Sequence, residues 1–341
     1  MLDRNGLLSL MRTVAKANPM AEVAYSFNNE SFSYETLNET LRQELNEYAG
    51  SYASFRENKN LIFSLIEEVL TEILPKKVMD QYGQFAEVRT FNQGDRPIFK
   101  VKIGRERAKQ FVTKVGLAGV YETFKLSEKA FEVSTTAYGG AARLGLEEML
   151  DGRFNMAELI EIIMEGLDEA VYEEIAKALE NVVTNLPAYQ KTEGNGFDEA
   201  EMDSLLSIAS GFGIPTIYCT YEFASKMVPA EGKWSDWSDN MKDTIWTNGY
   251  FTTYKGHRVV ILPQSYKIKN NDAVPVINSQ FVYILTGDAK PVKVAFEGDT
   301  LVREVENHDW SKEIQVYKKF GVSVITNSNL FVYKDTSATQ Q

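Results

Sequence analysis

Between residues 155 and 185 the apolar positions recur every three or four places, at 156, 160, 163, 167, 171, 175, 178 and 182, with Leu186 just beyond. That period predicts one long amphipathic helix, ended at Leu186-Pro187 because a proline drives the residue before it out of helical geometry. At 1.5 Å per residue its length would be roughly 45 Å. The opposite face is acidic: Glu158, Glu161, Glu165, Asp168, Glu169, Glu173 and Glu180. Elsewhere the period is two. Phe99, Val101 and Ile103 alternate with Lys100 and Lys102, predicting a ribbon with one polar face. Val292, Val294 and Phe296 alternate too, as do Ile314, Val316, Phe320, Val322 and Val324, with Lys318 the one interruption. Such long one-sided strands need an apolar partner, and the long helix supplies it.

The rest of the pattern is mixed. Residues 1–84 read as helical pieces with polar joints: a start near Ser33, a surface connection over Tyr48–Asn60, then a helix carried by Leu61, Ile62, Leu65, Ile66, Val69, Leu70 and Ile73 and stopped by Pro75. Nothing there predicts a compact core, so the segment reads as an arm that packs on something else. Tyr138-Gly139-Gly140 reads as a flexible joint. After the loop 190–196 come a helix over about Asp198–Ser210, a strand from Ile214, a short helix over Tyr221–Met227 and a hairpin about Lys255-Gly256. The chain is thus expected to be α+β, with residues 139–190 and 275–334 forming one discontinuous domain and an α/β unit inserted between them.

Composition narrows the function. A length of 341 residues suits about two domains. The net charge of −12, from 48 acids against 36 bases, argues against tight nonspecific nucleic-acid binding. One stretch runs the other way: residues 96–114 carry Arg96, Lys100, Lys102, Arg105, Arg107, Lys109 and Lys114 against Glu106 alone. Apart from Phe99 and Phe111 that stretch lacks the aromatic platform of a single-strand binder. Cys219 is the sole cysteine, which excludes an internal disulfide and a Cys-based zinc site; its apolar surroundings predict a buried structural thiol. The N-terminus is no convincing signal peptide, and Glu67 and Glu68 break the best candidate span, so a soluble chain made in a reducing cytosol is expected. Nucleophile-elbow, phosphate-loop and zinc-protease motifs are missing, and Gly211-Phe-Gly213 precedes a strand, the wrong side for a dinucleotide loop. His257 and His308 read as structural or surface residues. No catalytic, cofactor or metal residue is assigned, and an enzyme is not expected.

The order of elements resembles the major capsid proteins of tailed bacteriophages with the Hong Kong 97-type fold. In that family's terms residues 1–84 are the N-terminal arm and 85–138 the E-loop region. Residues 139–190 and 275–334 are the P-domain with its spine helix, 191–274 the A-domain, and 335–341 a polar tail. Phe124–Phe131 running through Leu144–Gly152 into the helix looks like the passage from E-loop to spine. Asn248–Pro263 looks like late A-domain strands and Gly287–Tyr333 like the closing P-domain sheet.

The resemblance implies a structural subunit that joins copies of itself into hexamers and pentamers and closes an icosahedral head around double-stranded DNA, without sequence-specific binding. It implies portal and scaffolding partners, a possible decoration protein, no cofactor, no membrane, and a place in the virion after assembly in the host cytoplasm. An encapsulin, a bacterial compartment of the same fold enclosing a cargo protein, is the alternative. The charge pattern supplies candidate contacts between subunits: Lys100, Lys102, Arg105 and Arg107 of the basic ribbon against Glu161, Glu165, Asp168 and Glu169 of the helix. Gly139 and Gly140 are the candidate hinge.

Overall fold

The computed structural model describes residues 3–16, 25–27, 30–102, 128–144, 156–227, 239–269, 272–287, 290–306, 308, 312–325 and 329–337. Three helices lead: α1 (Arg4–Lys16), α2 (Tyr34–Ala49) and α3 (Tyr52–Tyr82), with a small β1–β2 pair (Tyr25–Phe27 and Glu30–Phe32) after α1. Strand β3 (Ala86–Phe91) and a ribbon of β4 (Ile98–Lys102) and β5 (Glu128–Glu132) follow. Next come β6 (Thr136–Leu144) and the long helix α4 (Met156–Asn185).

A second unit holds β7 (Lys191–Gly194), α5 (Glu199–Ser210), β8 (Pro215–Cys219), α6 (Tyr221–Lys226) and α7 (Asp239–Asn248). It continues with the hairpin of β9 (Thr253–Tyr254) and β10 (His257–Ile261), then that of β11 (Tyr266–Lys269) and β12 (Asp272–Pro275). The chain closes through β13 (Phe281–Thr286), β14 (Val292–Glu306), β15 (Lys312–Val324) and β16 (Leu330–Asp335).

The long helix forms as its period predicts. Leu167, Val171, Tyr172, Ile175, Leu179, Val182 and Leu186 are buried, with Leu179 taking the inward place rather than Ala178. Each fully buried aliphatic side chain contributes roughly 1.5–3 kcal/mol. The partner is a four-stranded sheet of order β3-β14-β15-β6, whose apolar face carries Val292, Val294, Phe296, Ile314, Val316 and Phe320. Lys318 interrupts that face for a structural reason. Opposite it, β14 bulges between Glu297 and Leu301, and the buried ammonium donates to the Gly298 carbonyl at 2.7 Å.

Several elements depart from the expectation of the local pattern. The leading helices do pack on something else: Leu7, Leu10, Leu37, Leu45, Leu65, Ile66 and Leu70 join the same buried core as α4 and the sheet. The expected connection over Tyr48–Asn60 shrinks to Gly50-Ser51, because Ser51 and Ser54 form a reciprocal cap that starts α3 at once. Pro75 does not stop that helix. A proline inside a helix costs ~3 kcal/mol, but Ile73, Leu74, Val78 and Tyr82 are buried around it and offset the loss.

The closing strands do not all lie under α4. β13 and β16 enter a six-stranded sheet of order β7-β16-β13-β8-β10-β9. Phe281 through Leu285 are buried throughout, with Val282 and Ile284 facing the core against α5 and Tyr283 and Leu285 facing the core against α4. A strand buried on both faces suits the centre of a sheet between two cores, not a one-sided layer. Residues 335–337 are likewise no free tail. Asp335 is wholly buried; it accepts from the Gly196 and Ser337 amides at 2.9 and 2.8 Å and lies 3.0 Å from Lys226 Nζ. Lastly, Gly139 and Gly140 are ladder residues of β6, opposite Tyr317 and Val316. A Cβ on Gly139 would sit 2.6 Å from the Val316 carbonyl oxygen, so that glycine permits a close strand approach. These glycines thus lie in a strand and not in the loop expected there.

Candidate subunit interface

The basic ribbon is rooted on the far side of the four-stranded sheet from the helices. Phe99 is buried with Val133 and Ala295, and Phe91 meets it edge-on at 5.8 Å. Arg89 and Lys293 lie over its ring at 5.3 and 5.8 Å, contacts typically worth ~0.5–2 kcal/mol each. Lys293 also pairs with Glu87, whose carboxyl is held below its ordinary range by that lysine and Arg89 against the opposing effect of burial. With Phe99 turned in, pleating turns Ile98 and Lys100 out, and both are exposed. Lys102 ends β4; its side chain, and Arg105 and Arg107 altogether, lie outside the described residues.

The acidic helix face divides. Glu161 lies in α4, its side chain outside the described residues; Glu165 is exposed. Asp168 is already engaged: Lys77 of α3 reaches its Oδ2 at 3.0 Å. Glu169 is half-buried beside Ser265, 3.5 Å away. Farther along, Glu173 pairs with Lys267 of β11, and Glu174 holds Lys177 at 2.8 Å, which raises the lysine's pKa. The face is therefore no uniform solvated stripe: Asp168, Glu173 and Glu174 are paired within the chain, whereas Glu165 and Glu180 are exposed. Neither Lys77 nor Lys267 carried a sequence signal for this, since each arrives from an element distant in the chain.

Between α3, α4 and the turn after β10 opens a groove of about 600 Å³, lined by Lys77, Glu165, Asp168, Tyr172, Pro263 and Gln264 among others. The Tyr172 hydroxyl donates to the Pro263 carbonyl, which ties the second unit to the helix. Burial raises the pKa of Tyr82 and Tyr172, so both phenols stay neutral donors beside these carboxylates. Cys219 is buried at the end of β8, and burial pushes its thiol up to about 12. Among the described residues no three His, Cys, Asp or Glu side chains form a metal-binding group, and no helix is long and apolar enough to cross a membrane.

Residues 7–333 match the family model described as "SPbeta prophage-derived putative capsid protein YonB". No curated protein matches the sequence. Among solved structures, a phage-related protein from Bordetella bronchiseptica RB50 is similar with a TM-score of 0.51 at 12% identity, over 82% of this chain and 98% of that one. The mature capsid of bacteriophage PhiM1 gives 0.47 at 10% identity, over 76% and 87%. The holo-SrpI encapsulin complex from Synechococcus elongatus PCC 7942 gives 0.43 at 12%, over 74% and 87%. A long helix crossing a sheet of long strands, an extended ribbon before it and an inserted mixed unit after it make up the Hong Kong 97-type capsid fold.

Proposed function

Since the chain belongs to this family of prophage-derived capsid proteins, we propose that it is the repeating subunit of an icosahedral head, joined through hexamers and pentamers around double-stranded DNA. The family match over nearly the whole chain carries the reading. Each subunit in such a shell meets several neighbours, so individually weak contacts act together. A net charge of −12 suits a wall that does not grip its contents. A portal and a scaffolding protein are the partners such a head requires, and the virion is where it would reside.

The contact we assign to assembly is the basic ribbon (Lys100, Lys102, Arg105, Arg107) laid on the N-terminal half of a neighbour's α4, against Glu161, Glu165 and Glu169. Asp168, paired with Lys77 in its own chain, is a lesser acceptor. Charge there sets orientation more than affinity, at ~0–1 kcal/mol per exposed pair. Electron microscopy of the purified full chain tests the reading. Closed shells or ring-shaped capsomers are expected, and DNA inside particles from a phage-producing cell. A chain that stays monomeric alone and with its scaffold would overturn it, and shells holding only protein would transfer it to a cargo compartment.

A further inference from the structure

Both legs of the basic ribbon are fastened at one carboxylate. The outgoing leg, residues 92–97, turns off β3, and the returning leg, residues 133–135, runs from β5 into β6. Glu297 of β14 is buried where they meet the sheet. Its Oε1 accepts from the Gly94 amide of the outgoing leg at 3.2 Å, and its Oε2 accepts from the Thr135 hydroxyl of the returning leg. Hydrogen bonds to an ionised acceptor are about twice as strong as neutral ones. The Lys319 ammonium, half-exposed at 3.6 Å, adds only a weak pair. Two glycines let the legs lie this close. Gly321 faces Ala295 across the ladder, and a Cβ on it would collide with the Ser134 carbonyl oxygen of the returning leg. Gly298, next after Glu297, has φ +64°, and a Cβ on it would stand 3.2 Å from that of Gln93 in the outgoing leg. The β14 bulge thus begins at the residue after the carboxylate, where it bends the strand beneath the ribbon's root.

We propose that Glu297 is a positioning residue for assembly, holding both legs so that the ribbon leaves the sheet at one fixed angle. This role rests on the shell reading, since an aimed ribbon matters only where a second copy receives it. Leverage makes the angle count. The five residues of β4, at about 3.4 Å each, reach about 17 Å, so a tilt of about 10° at the root moves Lys102 by about 3 Å. That shift is as long as a hydrogen bond, enough to unmake a charged contact on a neighbour. Repeated at every subunit, it would change how copies tilt against one another and so the curvature of the wall.

Three substitutions in the full chain separate the possible roles. Glu297→Ala removes both acceptors. Glu297→Gln keeps the clasp, because its carboxamide oxygen can accept from Gly94 while its NH2 donates to the Thr135 oxygen. Lys319→Met removes only the ion pair. In hydrogen–deuterium exchange of the subunit, segment 92–97 should exchange about tenfold faster in Glu297→Ala, the least that losing a charge-assisted bond implies, and as in the natural chain in the other two. Unchanged exchange in Glu297→Ala overturns the clasp. By electron microscopy, Glu297→Ala should give open sheets or particles of scattered diameter, and the other two particles of the natural diameter. A residue that merely stabilises the subunit would lower the yield and leave the diameter alone. Natural-sized particles from Glu297→Ala therefore overturn the inference, as does a Glu297→Gln or Lys319→Met chain with the same defect. Should Glu297→Ala fail to fold, Thr135→Val drops only the returning leg's bond; it is expected to broaden the diameters too, and a natural diameter from it counts against the role. If the natural chain forms no particles, the shell reading itself fails; if it does and the variants match it, the inference alone fails.

Discussion

Asp335 shows how one carboxylate can fasten a chain end. Its oxygens take two backbone amides, the Ser337 hydroxyl at 2.6 Å and the Lys226 ammonium, and its pKa falls to about 2 from 3.8 because these bonds outweigh burial. A lowered folded pKa stabilises the native state above the unfolded value, and the gain disappears as pH falls through the folded value. The contribution is about 2 kcal/mol, present above pH ~4 and lost by pH ~2. Asp335→Asn should therefore lower the melting temperature at pH 7 and flatten its fall between pH 4 and 2. Calorimetric scans across that range check it; an unchanged acid limb would mean the clasp contributes nothing. No sequence signal marked this residue, since Asp335 lies in a polar run that reads as a tail. Its burial follows only from β16 standing between β7 and β13. Lys318 was visible as an interruption of an alternating strand, while its partner, a bulge carbonyl, belongs to another strand.

At the scale of elements, α3 completes the sheet it lies on. β3 pairs with β14 only over residues 292–297, and beyond the bulge that edge would be bare. There Thr71 Oγ1 accepts from the Thr300 amide at 2.9 Å and Glu67 Oε1 from the Val302 amide at 2.7 Å, so side chains of a helix stand in for a missing strand. An exposed edge invites pairing with other chains. Glu67→Ala and Thr71→Val should each destabilise by ~1–3 kcal/mol, the penalty of an unsatisfied buried amide, read as a lower urea midpoint at constant slope. Midpoints equal to that of the natural chain would remove α3 from this role. The glycines of β6 separate in the same assay. Gly139→Ala meets the Val316 carbonyl and should destabilise, whereas nothing lies within 4 Å of a Cβ on Gly140, so Gly140→Ala should be neutral or slightly stabilising. A hinge made by the pair would have both substitutions act alike.

Local pattern read α4, β14, β15 and the turn at Lys255-Gly256, where φ is +46° and +87°, because each shows its period or its turn chemistry within its own residues. What it missed is non-local. The run through Pro75 holds because of packing around it, and Phe281–Leu285 looks like any apolar run until two cores are known to flank it.

At the scale of the whole molecule, the charges free to meet a neighbour are those left after the chain has neutralised its own. Glu173, Glu174 and Asp168 are taken by Lys267, Lys177 and Lys77, which leaves Glu165, near the start of the helix, among the carboxylates able to act outward. On the other side of the sheet, the base of the ribbon is anchored through Phe99 and Lys293. Reversing charge at Lys102 and Arg105 should therefore not disturb the folded subunit. Each substitution turns a weak attraction into a repulsion, a swing of about 1–2 kcal/mol per contact, and repetition around a ring makes the sum decisive. The double variant Lys102→Glu, Arg105→Glu is expected to remain soluble, to melt with the natural chain, and to form no closed particles by electron microscopy. Adding Glu165→Lys and Glu169→Lys in the same chain should restore part of the yield if ribbon and helix face each other across the interface. Salt gives an independent reading, because exposed pairs are screened over about 8 Å at physiological ionic strength and over about 3 Å at 1 M: assembly of the natural chain should slow as salt rises, and the charge-reversed chain should recover. Normal particles from the double variant at low salt would place the subunit contact elsewhere.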